Sequence, residues 1–339
     1  MSEIRLHNVT KRFGDIVAVD DVSIDVNEGE FVVLLGPSGA GKTTTLRLIA
    51  GLERPDEGEI FIDGEAATEM HPADRDVAFI FQQYSLYPHL TVFGNLAFPL
   101  RSPRRRTSEA EVSARVRSVA QMLHIESKLA NMATHLSGGE MQRVAIGRAL
   151  VREPKVFLMD EPLSSLDAKL REELRIELKR LHRSIGATII YVTHDQVEAT
   201  TLADRIGILE HGRIVQMGTP REVYGNPASL SAAQRLGSPP INLLPPALFD
   251  PAAMPAGTST VAIRPEDIVL HGADARDALN LRVLEYSPLR HLLILDREGT
   301  AIVATTMTER NFTPGQTVGV SLPPRSLLYF RSDGRRIPA

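Results

Sequence analysis

"EFVVLLGPSGAGKTTTLRLIAGL", residues 30–52, is the stretch that decides the fold. "FVVLL" is a continuous apolar run of the kind a buried strand uses, and "KTTTLRLIAGL" reads as a helix. Between them, Gly36 to Thr43 match G-x-x-x-x-G-K-[ST], the phosphate-binding loop, in the strand–loop–helix setting that motif requires. Glycines let successive backbone N–H groups converge on phosphate oxygens, and the helix N-terminus adds positive potential. Lys42 is placed to neutralise β- and γ-phosphates, and the Thr43 hydroxyl to ligate Mg²⁺. The nucleotide-binding candidates are therefore Gly36, Pro37, Ser38, Gly39, Ala40, Gly41, Lys42, Thr43 and Thr44, with ATP or GTP as the ligand.

A second strand, "KVFLMDEP" (155–162), ends in paired carboxylates. Its four apolar residues predict a buried strand beside the phosphate-loop strand, with Asp160 emerging at the C-terminal edge near Mg²⁺. Glu161 is then within reach of a water in line with the γ-phosphate, as general base. These two motifs leave kinase-like phosphoryl transfer open. "LSGGEMQR" (136–143) argues against it. Ser137 offers a hydroxyl, Gly138 and Gly139 offer bare N–H groups, and a helix follows, so this is a second anion site. It lies in a different part of the chain from the first loop, so one chain does not easily fold both onto one γ-phosphate. Two chains facing head to tail do, each giving a phosphate loop to one nucleotide and an "LSGGE" turn to the other.

The bulk composition and length agree with a folded protein of two domains or three small ones. The chain has 339 residues, 43% hydrophobic and 24% charged. A formal charge of −4 argues against a nucleic-acid partner held by a broad basic field. Without cysteine there is no disulfide and no thiolate site. The N-terminus lacks a signal-peptide core, and "FVVLLG" and "ATIIYVT" are too short to span a bilayer, so a membrane role must work through a partner.

Along the chain, "GEIFIDG" and "VAFIFQ" read as further strands, the latter fully buried. From about residue 86 to 152 the pattern turns helical, with Val112, Val116, Val119 and Leu123 on one face. The α/β pattern returns, and the charged helix after "SSLD" carries Leu170, Leu174, Leu178 and Leu181 on its inner face. "GSPPINLLPPALFDPAAMPAG" suits a linker or loosely structured junction. The runs "STVAIRPEDIVL", "LNLRVLEY", "HLLILD", "TAIVATTM" and "QTVGVSL" recur at hairpin intervals and predict a small C-terminal β-barrel.

Taken together, "GPSGAGKTT", "LSGGEMQR", "VFLMDEP", "SSLD" and "VTHD" resemble, in order and spacing, the nucleotide-binding subunit of an ATP-binding-cassette (ABC) transporter over residues 3–235. The resemblance implies a phosphate-loop α/β core with a helical insertion, residues 1–235, followed by an OB-like barrel, 236–339. It implies ATP with Mg²⁺ as cofactors, and hydrolysis by Glu161. It assigns Gln82 of "FIFQQY" to Mg²⁺ and the attacking water, and His194 of "VTHD" to the γ-phosphate. Asp167 of "SSLD" would cross the dimer interface, and Phe13 of "KRFG" would stack on adenine. Glu140 stands where the commonest motif has glutamine, and an acidic group there is expected to point away from the phosphate.

"QQYSLYPHLTVFGNLAFPL", "DEPLSSLDAKLREELR", "YVTHDQVEATTLADRIGIL" and "VAIRPEDI" are similar to bacterial importers of the sugar type, fed by an external solute-binding protein. That implies a second ATPase subunit, two membrane permease subunits, a peripheral place on the cytoplasmic face of the cell membrane, and carbohydrate or polyol cargo. The alternatives are polyamine, ferric iron or an oxyanion. A permease helix would enter a cleft walled by Tyr84, Leu86, Tyr87 and His89. The basic run "RSPRRR", 101–106, reads as a solvated loop. A DNA- or ribosome-directed cassette ATPase would show coiled-coil insertions or two cassettes per chain, and neither is present.

Overall fold

The computed structural model describes residues 3–102, 107–272, 279–297, 299–306 and 311–338. The run read as a solvated basic loop lies outside the described residues from Pro103 to Arg106. The chain divides into two compact units, Met1–Pro220 and Arg221–Ala339. The expected boundary at residue 235 lies further along, at the end of the short helix Leu230–Arg235.

The first unit contains two sheets. Strands β1 (Ile4–Phe13), β2 (Ile16–Val26), β4 (Glu57–Ile62) and β5 (Glu65–Ala66) form an antiparallel sheet in the order β2-β1-β4-β5. The other sheet uses β3 (Phe31–Leu35), β6 (Val77–Ile80), β7 (Val156–Asp160), β8 (Thr188–Thr193), β9 (Arg205–Glu210) and β10 (Arg213–Gly218), in the order β10-β9-β3-β8-β7-β6. Only the β9–β10 pair of that sheet is antiparallel. Helix α1 (Lys42–Ala50) belongs to one core with both sheets. Its Leu46 and Ile49 join Leu6 and Ile60 of the first sheet and Val32, Leu34, Leu158 and Ile190 of the second. β3, β7 and β8 are buried along their whole lengths, which is why their sequences are apolar without alternation.

The strand order corrects one expectation. β7 does not lie beside the phosphate-loop strand β3, because β8 runs between them. Periodicity reports how deeply a strand is buried and says nothing of which strand is its neighbour. Asp160 still reaches the phosphate loop, because α1 packs against both β7 and β8. A second correction concerns "VAFIFQ". The strand stops at Ile80 on the sheet edge, and Phe81 is 44% exposed.

Between β6 and β7 the chain is helical: α2 (Val92–Ala97), α3 (Glu109–Met122) and α4 (Gly138–Leu150). Val112, Val116, Val119 and Leu123 are buried as expected. α5 (Ala168–Ile185) buries Leu174, Leu178 and Leu181, with Leu170 half-buried, and α6 (Gln196–Leu202) follows β8.

The second unit carries the short helix Leu230–Arg235 and an OB-like half-barrel of antiparallel strands. One sheet contains β11 (Asn242–Leu244), β12 (Thr260–Ile263), β18 (Leu328–Phe330) and β19 (Arg336–Ile337). The other contains β13 (Val269–His271), β14 (Leu279–Ser287), β15 (Leu292–Arg297), β16 (Thr300–Thr305) and β17 (Thr317–Ser321). Both line one core that includes Val261, Ile263, Val283, Leu295, Ile302 and Val320. The proline-rich stretch is not a plain linker, since β11 lies inside it. Asn242 is buried, donating to the carbonyls of Ile263 and Val303 and accepting the Val303 N–H. Among the described residues, no helix is long and apolar enough to cross a membrane.

Candidate functional site

The site begins where β3 ends. Gly36 is packed so closely that a Cβ would sit 2.2 Å from the Leu209 carbonyl oxygen. Gly41 caps α1 with φ 98°, and a Cβ there would meet the Ala18 oxygen at 2.2 Å. No side chain caps the N-terminus of α1, so its first N–H groups are left to an anion. The Lys42 ammonium, almost fully buried, donates to the Gly36 and Pro37 carbonyls at 2.9 and 3.0 Å. Thr43 Oγ1 donates to Asp160 Oδ1 at 2.9 Å.

Two neighbouring carboxylates therefore have different environments. Asp160 is buried, and burial pushes its carboxyl above the usual carboxylate range, although the Thr43 hydroxyl pulls the other way. Glu161 is in the left-handed region, φ 43°, directly after the strand. That turn places Oε1 3.5 Å from the Lys42 ammonium and Oε2 3.0 Å from His194 Nδ1. Phosphate loop, strand-end carboxylates and His194 thus form one cluster. The donors at its centre, a hydroxyl and a carboxylate oxygen, are the hard ligands Mg²⁺ takes together with substrate phosphates. Among the described residues, no group of three or more His, Asp or Glu could hold a metal by itself.

The other sequence candidates lie around this cluster. Gln82 hydrogen-bonds Ser164 Oγ at 3.4 Å, in the segment that follows Glu161. Asp167 caps α5 by accepting the Leu170 N–H at 3.0 Å. Phe13 is 45% exposed, with the Lys11 ammonium 5.3 Å from its ring centroid. Ser137 caps α4, and Gly139 lets that helix end approach Leu170, since a Cβ would come within 2.5 Å of the Leu170 side chain. No hydrogen bond or ion pair among the described residues joins Ser137, Gly138 or Gly139 to Lys42, Thr43 or Asp160. Glu140 turns back on its own helix end. It completes a capping box with Ser137 and pairs with Lys128 at 2.9 Å, and these partners lower its carboxyl pKa.

Beside the loop that follows Gln82, the glutamine loop, are two clefts. One, of about 260 Å³, is walled by Phe79, Phe81, Tyr84, Tyr87, Phe98 and Arg148. The other, of about 300 Å³, includes Tyr84, Ser85, Leu86 and Met141. Tyr84, Leu86 and Tyr87 line them as expected, while exposed His89 lies in neither wall. Phe81, Phe98 and Arg148 went unnoticed in the sequence. Arg148 also donates to the Ser85 carbonyl at 2.7 Å, tying the glutamine loop to α4.

Comparison with known proteins gives this geometry a family. Residues 19–164 match the "ABC transporter" family model, and residues 261–330 match "TOBE domain". An sn-glycerol-3-phosphate import ATP-binding protein of Rhizobium etli is 46% identical over 320 residues, covering 91% of each chain. The trehalose/maltose import ATP-binding protein of Thermococcus litoralis is 49% identical over 80% of this chain and 74% of its own. The chain belongs to the ATP-binding subunits of ABC importers. As a member of that family the importer subunit binds ATP and is an ATPase. Among solved structures, a dimeric ATP-binding cassette in a post-hydrolysis state with ADP and Pi is similar over 64% of this subunit and 99% of that chain, at 37% identity and TM-score 0.58. An ABC transporter subunit from Clostridium perfringens matches 65% of this chain and 89% of its own, at 26% identity and TM-score 0.61.

Proposed function

We propose that this subunit powers import of a carbohydrate or polyol, including its phosphate esters, by hydrolysing ATP with Glu161 as general base. The observation that carries the reading is the Glu161 carboxylate suspended between the Lys42 ammonium and the His194 ring. There it can accept a proton from a water attacking the γ-phosphate. The residues from Gly36 to Thr44 wrap the phosphates, Lys42 and His194 offset charge that develops there, and Phe13 stacks on the adenine. Thr43, Asp160 and Gln82 would hold Mg²⁺, which neutralises the phosphate charge when bound. Ser137, Gly138, Gly139 and Asp167 act on the nucleotide of a second copy. The position of Ser137 to Gly139 at the N-terminus of α4, unbonded to Lys42 among the described residues, together with the dimeric relative, supports this cross-subunit role.

ATP binds the closed pair better than the open one, so binding closes the dimer and hydrolysis reopens it. A cleft beside Gln82 takes one helix of a permease subunit, so the ATPase pair engages two permease subunits and works at the cytoplasmic face of the membrane. An external solute-binding protein delivers the cargo to the permease. Residues 1–235 act as the ATPase, and 236–339 form a separate C-terminal domain. The import names of the two relatives support the cargo class.

Uptake of labelled sugars, polyols, glycerol phosphate, polyamines and ferric iron in a strain lacking the protein tests both parts. Loss of one sugar or polyol, restored by wild type and not by Glu161→Gln, is expected. Loss of a polyamine or iron instead would overturn the cargo, and rescue by Glu161→Gln would overturn the base.

A further inference from the structure

Gln82, Tyr84 and His194 converge on a single segment. Residues 161–167 start at Glu161 and end at Asp167, the cap of α5. His194 reaches this segment through Glu161, Gln82 through Ser164, and Tyr84 through a 3.0 Å contact with Ser165 Oγ. The segment is neither helix nor strand, so apart from the Asp167 carbonyl, which accepts the Arg171 N–H, its carbonyls lie outside the sheet and helix ladders.

One side chain holds three of them. Arg171, one turn into α5, donates from Nε to the Leu163 carbonyl at 3.2 Å. Its Nη2 donates to the Ser164 and Leu166 carbonyls at 3.4 and 2.8 Å. Its Nη1 lies 3.7 Å from Asp195 Oδ2. Asp195 follows His194 directly, and its other oxygen caps α6 by accepting the Val197 and Glu198 N–H groups. A planar guanidinium with donors in a fixed fork suits such a set, which a point-charge ammonium cannot satisfy together.

We infer that Arg171 is a positioning residue for hydrolysis: it fixes the segment carrying Glu161 and, through Asp195, the loop carrying His194, so that the two side chains meet. The inference rests on Glu161 being the base. Arg171 touches neither nucleotide nor water in this role. Its loss should therefore lower kcat and leave ATP affinity nearly intact, because the phosphate loop is built without it.

The test uses the full-length chain, measuring phosphate release and fluorescent-ATP affinity for Arg171→Ala, Arg171→Lys and Glu161→Gln. A misplacement of about 1 Å can cost on the order of a hundredfold in rate, so Arg171→Ala should lose about 30-fold in kcat with ATP affinity within about twofold. Added guanidinium ion should restore part of that rate to Arg171→Ala and none to Glu161→Gln. Arg171→Lys should stay at least about fivefold below wild type, because charge alone does not hold three carbonyls. A folded Arg171→Ala or Arg171→Lys at wild-type rate, beside an inactive Glu161→Gln, overturns the inference alone. So does a rate loss in Arg171→Ala that guanidinium leaves untouched and that tracks a fall in thermal midpoint. Wild-type turnover in Glu161→Gln overturns the base assignment and the inference with it.

Discussion

Replacing Arg75 with Met tests how the phosphate-loop helix is anchored at the end away from the nucleotide. Arg75 is 3% exposed, and its guanidinium donates to the carbonyls of Leu48 and Ile49 at 2.7 and 2.9 Å, closing the C-terminus of α1. It also donates to Met70 and Thr68 at 3.0 and 3.2 Å. Methionine fills similar space and makes none of these bonds. All four carbonyls lose the charged donor, and three of them keep no other partner among the described residues, since Leu48 retains the Gly51 N–H at 3.1 Å. Each hydrogen bond to a charged group is worth about 2 kcal/mol, so the gross loss is about 6 kcal/mol. Burial lowers the Arg75 pKa, so taking the charge out of water carries a penalty that the methionine relieves in part. The net loss is about 4 kcal/mol, or roughly 10 °C for a unit of this size. Thermal unfolding of the full chain, followed by helix circular dichroism, reads it directly. Arg75→Lys should recover less than half the shift. A midpoint for Arg75→Met within about 2 °C of wild type would refute the claim that these four bonds anchor the helix.

Asp160→Asn should lower Mg²⁺-dependent ATPase activity about a hundredfold and at the same time raise the thermal midpoint of the nucleotide-free chain at pH 7. A carboxyl whose pKa is raised by burial lends stability that is full below its unfolded pKa of about 4 and is lost as pH rises through the folded value. The gain from Asn should therefore fade on acidification, and a gain that grows toward acid would contradict the burial argument. Glu140→Gln, which restores the commoner signature residue, should keep turnover within about twofold and cost under about 0.5 kcal/mol, because glutamine also closes a capping box and the Lys128 pair is half-exposed. A tenfold rate increase would mean that Glu140 faces phosphate after all. Phe13→Ala should weaken ATP binding about fivefold with kcat unchanged, the worth of one ring stacked at an exposed site; unchanged affinity in a titration would remove Phe13 from the nucleotide site.

Much of this protein could be read directly from its sequence because the chemistry is local. Gly36 to Thr43 specify strand, loop and helix within a dozen residues, and the structure builds them with Lys42 and Thr43 turned to one place. Amphipathic spacing marked α3 and α5 correctly, since burial on one face is a property of consecutive residues. The sequence also carried the family, because motif order survives where contacts are unknown. Tertiary structure alone decided the rest. β8 lies between β3 and β7, and strand order follows from crossover paths that no local pattern encodes. Phe81 left the sheet and became exposed, and β11 formed inside a proline-rich stretch because its backbone pairs with β12, with the Asn242 side chain adding a partner sixty-one residues away. Arg75, Arg148 and Arg171 look in sequence like ordinary surface charges. Their carbonyl partners are brought to them only when the chain has folded, and a guanidinium's role is set by what lies around it.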